Sequence, residues 1–155
     1  MKIAVSSDHR GRAAAQHIEQ LLKAQGHEVL LSAPAEGESS DYPDKAAEVG
    51  HAVADGRADA GVLVCGTGIG MSIAANKIAG VRAALVHDEM TAGFAKSHNN
   101  ANVLCLSGDL LGERKIGTIV EKWLATEFEG GRHERRVEKI AELEKSAGRE
   151  PTPGS

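Results

Sequence analysis

Aromatic side chains are scarce in this chain: one Trp, one Tyr and two Phe among 155 residues. So thin a supply argues against a platform that stacks nucleobases. Cysteine is scarcer still. Cys65 and Cys105 are too few for a disulfide framework, and both are expected as reduced thiols. No apolar run approaches the roughly 20 residues of a membrane span. The N-terminal MKIAVSSDH lacks the longer apolar region and small-residue cleavage site of an export signal, so a cytoplasmic protein is expected. Nor is positive charge in excess. Eighteen basic against 22 acidic side chains leave a net charge of −4, which argues against nucleic acid and membrane surfaces as partners. No pair of His or Cys has metal-ligand spacing, so no metal and no other cofactor are expected.

What is present is an ordinary globular balance, 41% hydrophobic and 26% charged. The length suits one domain with its own core. That domain is expected over residues 1–146, with 147–155 as a disordered tail. Strand-like and helix-like patterns alternate. Strands are expected at Ile3–Ser6, Glu28–Leu31, Asp59–Cys65, Val81–Val86 and Asn102–Leu106. Helices are expected at Arg12–Gln25, from Pro43 to about Asp55, after the glycine-rich CGTGIG, and at Thr91–His98, Leu111–Phe128 and Arg132–Ser146. Gly26 and Gly56 suit helix C-termini, and Pro43 suits a first turn. On the last helix Val137, Ile140, Ala141 and Leu143 are expected to face inward, and the helix is expected to pack on a partner subunit. The fold class that follows is a Rossmann-like three-layer α/β/α sandwich around a five-stranded parallel sheet. Its near-continuous apolar strands agree, because such strands are covered on both faces.

In open sheets of this kind ligands sit beyond the carboxyl ends of the strands. Those ends carry Ser6-Ser7-Asp8-His9, Cys65 to Gly70, His87-Asp88 and Ser107-Gly108-Asp109. The Gly66–Gly70 turn reads either as an anion hole capped by a helix N-terminus or as a tight turn without a ligand. Met71-Ser72 stand where a P-loop needs Lys and Ser/Thr, and the G-x-G-x-G spacing is not that of a dinucleotide fold. Met71 also stands where a Cys-x5-Arg phosphatase needs its arginine. Cys65 reads as a general base or nucleophile, or as a small buried hydrophobe. For Cys105, flanked by Leu104 and Leu106, the buried reading is preferred. His98 could be an acid–base group or a helix cap. Arg132 and Arg136 are i, i+4 neighbours, which suits either a phosphate or carboxylate clamp or a solvated face paired with Glu134 and Glu138.

Five motifs then form one pattern: SSDHRG at the start, DYPD at 41–44, GVLVCGTGIGMSIAANK at 61–77, HNNANVL at 98–104 and EGGRHERRV at 129–137. Together they resemble the type B ribose-5-phosphate isomerase family, whose relatives include subunits for galactose 6-phosphate and allose 6-phosphate. The resemblance covers nearly all of 1–146. It implies a metal-free aldose–ketose isomerase acting through an enediolate. It also implies a homodimer, or dimer of dimers, with sites between subunits.

By the same resemblance Cys65 is the base that moves a proton between C1 and C2, with Thr67 beside it. Gly66, Gly68, Ile69 and Gly70 supply amides to the enediolate. His98 opens the sugar ring, with Asp8 assisting or holding the sugar. His9, Arg132 and Arg136 clamp the phosphate, and Tyr42 and Asn99 position the sugar. Two departures bear on substrate choice: Asp109 stands where members often carry Arg, and Ser32-Ala33-Pro34 replaces a more usual Asp-x-Gly-Thr-like turn. Two alternatives remain: the same reaction on another sugar phosphate, or a non-catalytic sugar-phosphate-binding subunit. A receiver-like module would want an Asp where Cys65 stands.

Overall fold

The structure, a computed structural model, describes residues 1–148. Along the chain run β1 (Lys2–Ser7), α1 (Arg12–Ala24), β2 (Glu28–Leu31), α2 (Tyr42–Ala54), β3 (Ala60–Cys65) and α3 (Ile69–Ala75). They are followed by β4 (Ala83–Leu85), α4 (Glu89–Ser97), β5 (Val103–Ser107), α5 (Glu113–Ala125) and α6 (Arg132–Ser146). The strands pair in parallel in the order β2-β1-β3-β5-β4. This is the expected three-layer sandwich. The order of the last two strands was not legible from the alternation alone.

The period of two along each strand feeds two cores. Ile3, Val5, Val62, Val64, Leu104 and Leu106 meet α1, α4 and α5 on one face, around the buried Trp123. Ala4, Leu63, Cys65, Val103 and Cys105 meet α2 and α3 on the other. The crossovers obey one handedness. Steps toward β2, and from β4 back to β5, use the α1/α4 face; steps from β2 to β3 and from β3 to β4 use the α2/α3 face. A right-twisted strand joined to a right-handed helix permits only that pattern.

Several boundaries differ from expectation for local reasons. The β4 ladder is shorter than Val81–Val86 because side chains replace strand partners. Arg82 N–H donates to Asn102 Oδ1 at 2.7 Å, and Asn76 pairs with both the N–H and the carbonyl of Ala83 at 2.8 and 2.9 Å. That amide also covers the outer edge of an edge strand. The α5 helix spans less than Leu111–Phe128, since Gly112 and Thr126 both adopt extended backbone. The α4 helix begins earlier than Thr91 because Asp88 caps it, accepting from Thr91 N–H at 2.7 Å.

The largest correction concerns α6. Within the chain Ile140, Ala141 and Leu143 are exposed, and His133 is the buried residue of that helix. Ala147 and Gly148 close α6 through bonds to Leu143, Glu144 and Lys145 carbonyls. The rest of the expected tail, 149–155, lies outside the described residues. No helix among the described residues is long and apolar enough to cross a membrane.

Gly11 begins α1 directly against β3, and a Cβ there would sit 2.5 Å from the Val64 carbonyl oxygen. Gly117 sits inside α5 with only ordinary contacts at 3.6 Å and beyond. Gly11→Ala is expected to destabilise by about 1–3 kcal/mol through overpacking against backbone. Gly117→Ala is expected to stabilise by about 0.5–1 kcal/mol through helix propensity. Urea unfolding of both variants checks the opposite signs.

Candidate active site

The carboxyl ends of β1, β3 and β5 are neighbours at the centre of the sheet, and their loops are tied together. Gly108 N–H donates to the Cys65 carbonyl at 2.8 Å, and Asp109 N–H to the Gly66 carbonyl at 3.1 Å. Ser107 Oγ donates to the Gly66 carbonyl at 2.6 Å and accepts from Leu110 N–H at 2.9 Å. On the β1 side Asp8 is almost fully buried. Its Oδ1 accepts from the N–H groups of Arg10 and Gly11, both at 3.0 Å. His9, between Asp8 and Arg10, is exposed.

Each glycine of the 66–70 turn has its own reason. Gly68 adopts φ +78°, the left-handed region that glycine favours, and starts α3 there. A Cβ on Gly66 would press on Arg10 and Asp109, at 3.2 and 3.0 Å. A Cβ on Gly70 would strike the Tyr42 ring at 2.5 Å. Tyr42, at the start of α2, thus lies on the turn with part of its ring exposed. Two amides of the turn are already directed. Gly68 N–H donates to Cys65 Sγ at 3.1 Å, and Ile69 N–H to Thr67 Oγ1 at 3.3 Å. The Cys65 sulfur is therefore held as an acceptor facing the turn, while Thr67 is exposed. Cys105 lies fully inside the sheet, where burial, and then Cys65, push its thiol up. His87 and Asp88 sit at the outer strand β4, and Asp88 spends its carboxylate on capping α4.

The remaining expected residues form a second group at the opposite edge of the sheet. The α4 helix carries the chain back, so His98 caps its C-terminus and β5 begins five residues later at Val103. The five residues of β5, at roughly 3.3 Å each, put that edge on the order of 15 Å from the Cys65 edge. Asn99 follows with an exposed side chain, and its carbonyl accepts from Arg82 Nε at 3.1 Å. The α6 helix starts beside them. Glu129 N–H donates to the Ser97 carbonyl at 3.0 Å, and Gly130 and Gly131, both at positive φ, turn the chain into the helix. Arg132 and Arg136 are exposed on it.

Two residues of this group had gone unremarked. His133 stacks on the His98 ring at 4.2 Å and 4°, and Phe94 stacks on its other side at 4.9 Å. Glu129 Oε2 lies 3.4 Å from His133 Nε2. Arg82 closes the 99–100 loop through three bonds to its carbonyls. The signal for His133 was the i, i+4 spacing to Glu129 across a Gly-Gly break; Arg82 carried none.

His98, Glu129 and His133 offer ligand atoms within 4.8 Å of one another. Parallel stacked rings hold their in-plane lone pairs side by side rather than convergent, so the arrangement does not fit a metal centre. Burial, followed by the neighbouring His98 and Arg132, lowers the His133 pKa, while Glu129 opposes this. His133 thus lies flat against His98 with its charged form disfavoured.

Residues 3–140 match the family model described as Ribose/Galactose Isomerase. The chain is similar to ribose-5-phosphate isomerase B of Escherichia coli, with 42% identity over 143 residues, 92% of this chain and 96% of that protein. It is similar also to D-erythrulose-4-phosphate isomerase of Pectobacterium atrosepticum, with 40% identity over 145 residues, 93% and 95% of the two chains. Among solved structures, ribose-5-phosphate isomerase B of Clostridium thermocellum superimposes with a TM-score of 0.93 at 44% identity, covering 95% of this chain and 99% of that one.

Because the folded chain disfavours the His133 imidazolium, the unfolded chain takes up that proton more readily. Stability is then expected to fall as pH drops below the ordinary histidine value of 6.5. NMR titration of the imidazole protons checks the cause. The His133 midpoint is expected below 6.5, higher in His98→Asn, where that neighbour is gone, and lower still in Glu129→Gln.

Proposed function

The chain belongs to the Ribose/Galactose Isomerase family, and from that premise we propose that it interconverts ribose 5-phosphate and ribulose 5-phosphate. That it is a sugar-phosphate isomerase follows from its homologues. The named substrate and the roles of its residues are the proposal. One observation carries it: the Cys65 sulfur is held at a strand end by Gly68 N–H, on a turn bordered by Arg10, Tyr42 and Asp109.

Moving a proton between adjacent carbons needs one base and a place for developing charge. Cys65 takes the proton from C2 of the open aldose and returns it to C1. The Gly66 and Gly70 amides and the Thr67 hydroxyl face the enediolate oxygens as these gather charge, while Gly68 and Ile69 N–H hold Cys65 and Thr67 in place. Asp8 organises the β1 loop and meets the sugar with His9, and Tyr42 walls the far side of the turn. No residue of this scheme calls for a metal or another cofactor.

His98 cannot join Cys65 within one chain, because they stand at opposite edges of the sheet. The proposal therefore includes a second copy. It supplies His98 to open the furanose ring, Asn99 to position the sugar, and Arg132 and Arg136 to clamp the phosphate. A phosphate gripped away from the reacting carbons lends binding energy that positions them. Exposed apolar side chains at both edges fit such an assembly: Ile69 and Ile73 on α3 near the turn, and Ile140 and Leu143 on α6. A homodimer is the smallest closed form that completes two sites, and a dimer of dimers serves equally.

One feature favours a second reading, the same chemistry on a sugar phosphate of another length. Asp109 puts a carboxylate on the rim, and a relative at nearly equal identity is named for a four-carbon substrate. Initial rates on ribose, erythrose, allose and galactose phosphates decide between them. Ribose 5-phosphate is expected to turn over fastest. A faster six- or four-carbon substrate keeps the mechanism and changes the substrate, and no turnover on any favours a binding subunit.

Two variants test the chemistry. Cys65→Ala is expected to lose isomerisation while retaining sugar-phosphate binding by calorimetry; substantial remaining turnover removes Cys65 from the base role. Mixing Cys65→Ala with His98→Asn subunits, after dissociation and reassembly, is expected to restore about a quarter of wild-type activity, since randomly formed hybrid dimers hold one intact site each. A mixture no more active than its components overturns the shared site.

A further inference from the structure

The β1 and β5 loops are joined by an ion pair that the scheme above does not use. Arg10 Nη2 donates to the Asp109 carboxylate. Both ends of the pair start from fixed backbone. Arg10 N–H is held by Asp8 Oδ1, and Asp109 N–H by the Gly66 carbonyl. A Cβ at Gly108 would come within 3.3 Å of both the Arg10 carbonyl oxygen and the Gly11 Cα, so the two loops are in contact. The arginine stem crosses the turn just after Cys65, where only the missing Cβ of Gly66 makes room: Nε and Cδ would lie 3.2 and 3.4 Å from it.

An exposed ion pair adds little to stability, so holding up the fold does not account for this construction. What the pair does is aim a cation. A guanidinium has five N–H donors in a rigid fork. Asp109 engages one nitrogen, and the Arg10 side chain is still 61% exposed. Beside it lies a cavity of about 430 Å³, lined by His9, Arg10 and Arg12 on one side and the 35–39 loop on the other. Two acidic groups lie on that side as well: Glu38, which lines the cavity and accepts from Ala35 N–H at 3.3 Å, and Glu36, 3.8 Å from Arg12. His9, Arg10 and Arg12 thus border this cavity, and Arg10 links it to the Cys65 turn through its contact with Gly66.

Resting on the sugar-phosphate reading, we propose that Arg10 is a substrate-binding residue that grips the anionic group of the sugar phosphate, and that Asp109 is the positioning residue that aims it. The carboxylate at 109 then serves the substrate indirectly. It restrains a long side chain before binding, so less rotamer freedom is lost when the anion arrives.

The test uses the full-length protein, with inorganic phosphate as the probe in calorimetry and ribose 5-phosphate in kinetics. Arg10→Ala is expected to weaken phosphate binding about tenfold or more, the usual worth of a charge-assisted bond. KM is expected to rise by a similar factor, with kcat within about threefold, because the contact is made in ground and transition states alike. Arg10→Lys recovers part of the loss, keeping charge without the fork. Asp109→Ala falls between wild type and Arg10→Ala. The exchanged pair, Arg10→Asp with Asp109→Arg, regains most of the phosphate affinity. Unchanged phosphate affinity in Arg10→Ala, with an unchanged thermal midpoint, overturns the proposal, as does a wild-type protein that binds no phosphate. Wild-type protein that binds phosphate but turns over no sugar phosphate sinks the isomerase reading instead, and the Arg10→Ala calorimetry still decides this one.

Discussion

In a sheet of parallel strands every strand ends on one edge, and every helix must carry the chain back to the other. Here that return path governs the chemistry as well as the shape. Asp8, Cys65 and Asp109 sit where strands end. His98, Asn99, Arg132 and Arg136 sit where helices end or begin after the return. The sheet is rigid and apolar through its whole height, so no side-chain rotation can bring the two groups together. On the proposed reading the two groups serve one reaction when a second molecule presents its opposite edge. The exposed apolar side chains of α3 and α6 are consistent with that demand.

The elements themselves were largely legible, because their signals are local. Gly26 and Gly56 end α1 and α2 at positive φ, and Pro43 lies in the first turn of α2, as their chemistry implies. Cys65 followed by a glycine turn was legible for the same reason: strand, turn and helix are contiguous. What was not legible depends on distant partners. The shortened β4 ladder follows from Asn76 and Asn102, which lie outside that strand. The apolar residues of α6 read as inward because periodicity gives a face but not the body it faces. His133 was passed over beside its arginine neighbours, since only the fold brings it onto His98.

The glycine turn shows the same division within five residues. Composition suggested one purpose for three glycines, a set of converging amides. The structure separates them into a left-handed turn at Gly68, a passage for the Arg10 stem at Gly66 and a seat for the Tyr42 ring at Gly70. Only the first is a property of the local backbone. The other two are absences that make room for side chains more than 25 residues away in one case and more than 50 in the other.

Rigidity is distributed unevenly between the two kinds of group, and that bears on what the site can tolerate. The Cys65 sulfur, the base of the proposed scheme, is two bonds from the backbone of a buried strand and is held by a backbone N–H. Such a short tether suits proton transfer, which needs a fixed position. The candidate anion contacts, Arg10, Arg132 and Arg136, are long side chains on loops and on an exposed helix. They can follow a phosphate over several ångströms at the expense of rotamer entropy. A site built this way keeps one chemistry at the fixed end while the distance to the charged end varies. On the proposed reading, substrate length depends on which cations are restrained and by what. On this chain the restrained one is Arg10, and the carboxylate that restrains it is Asp109.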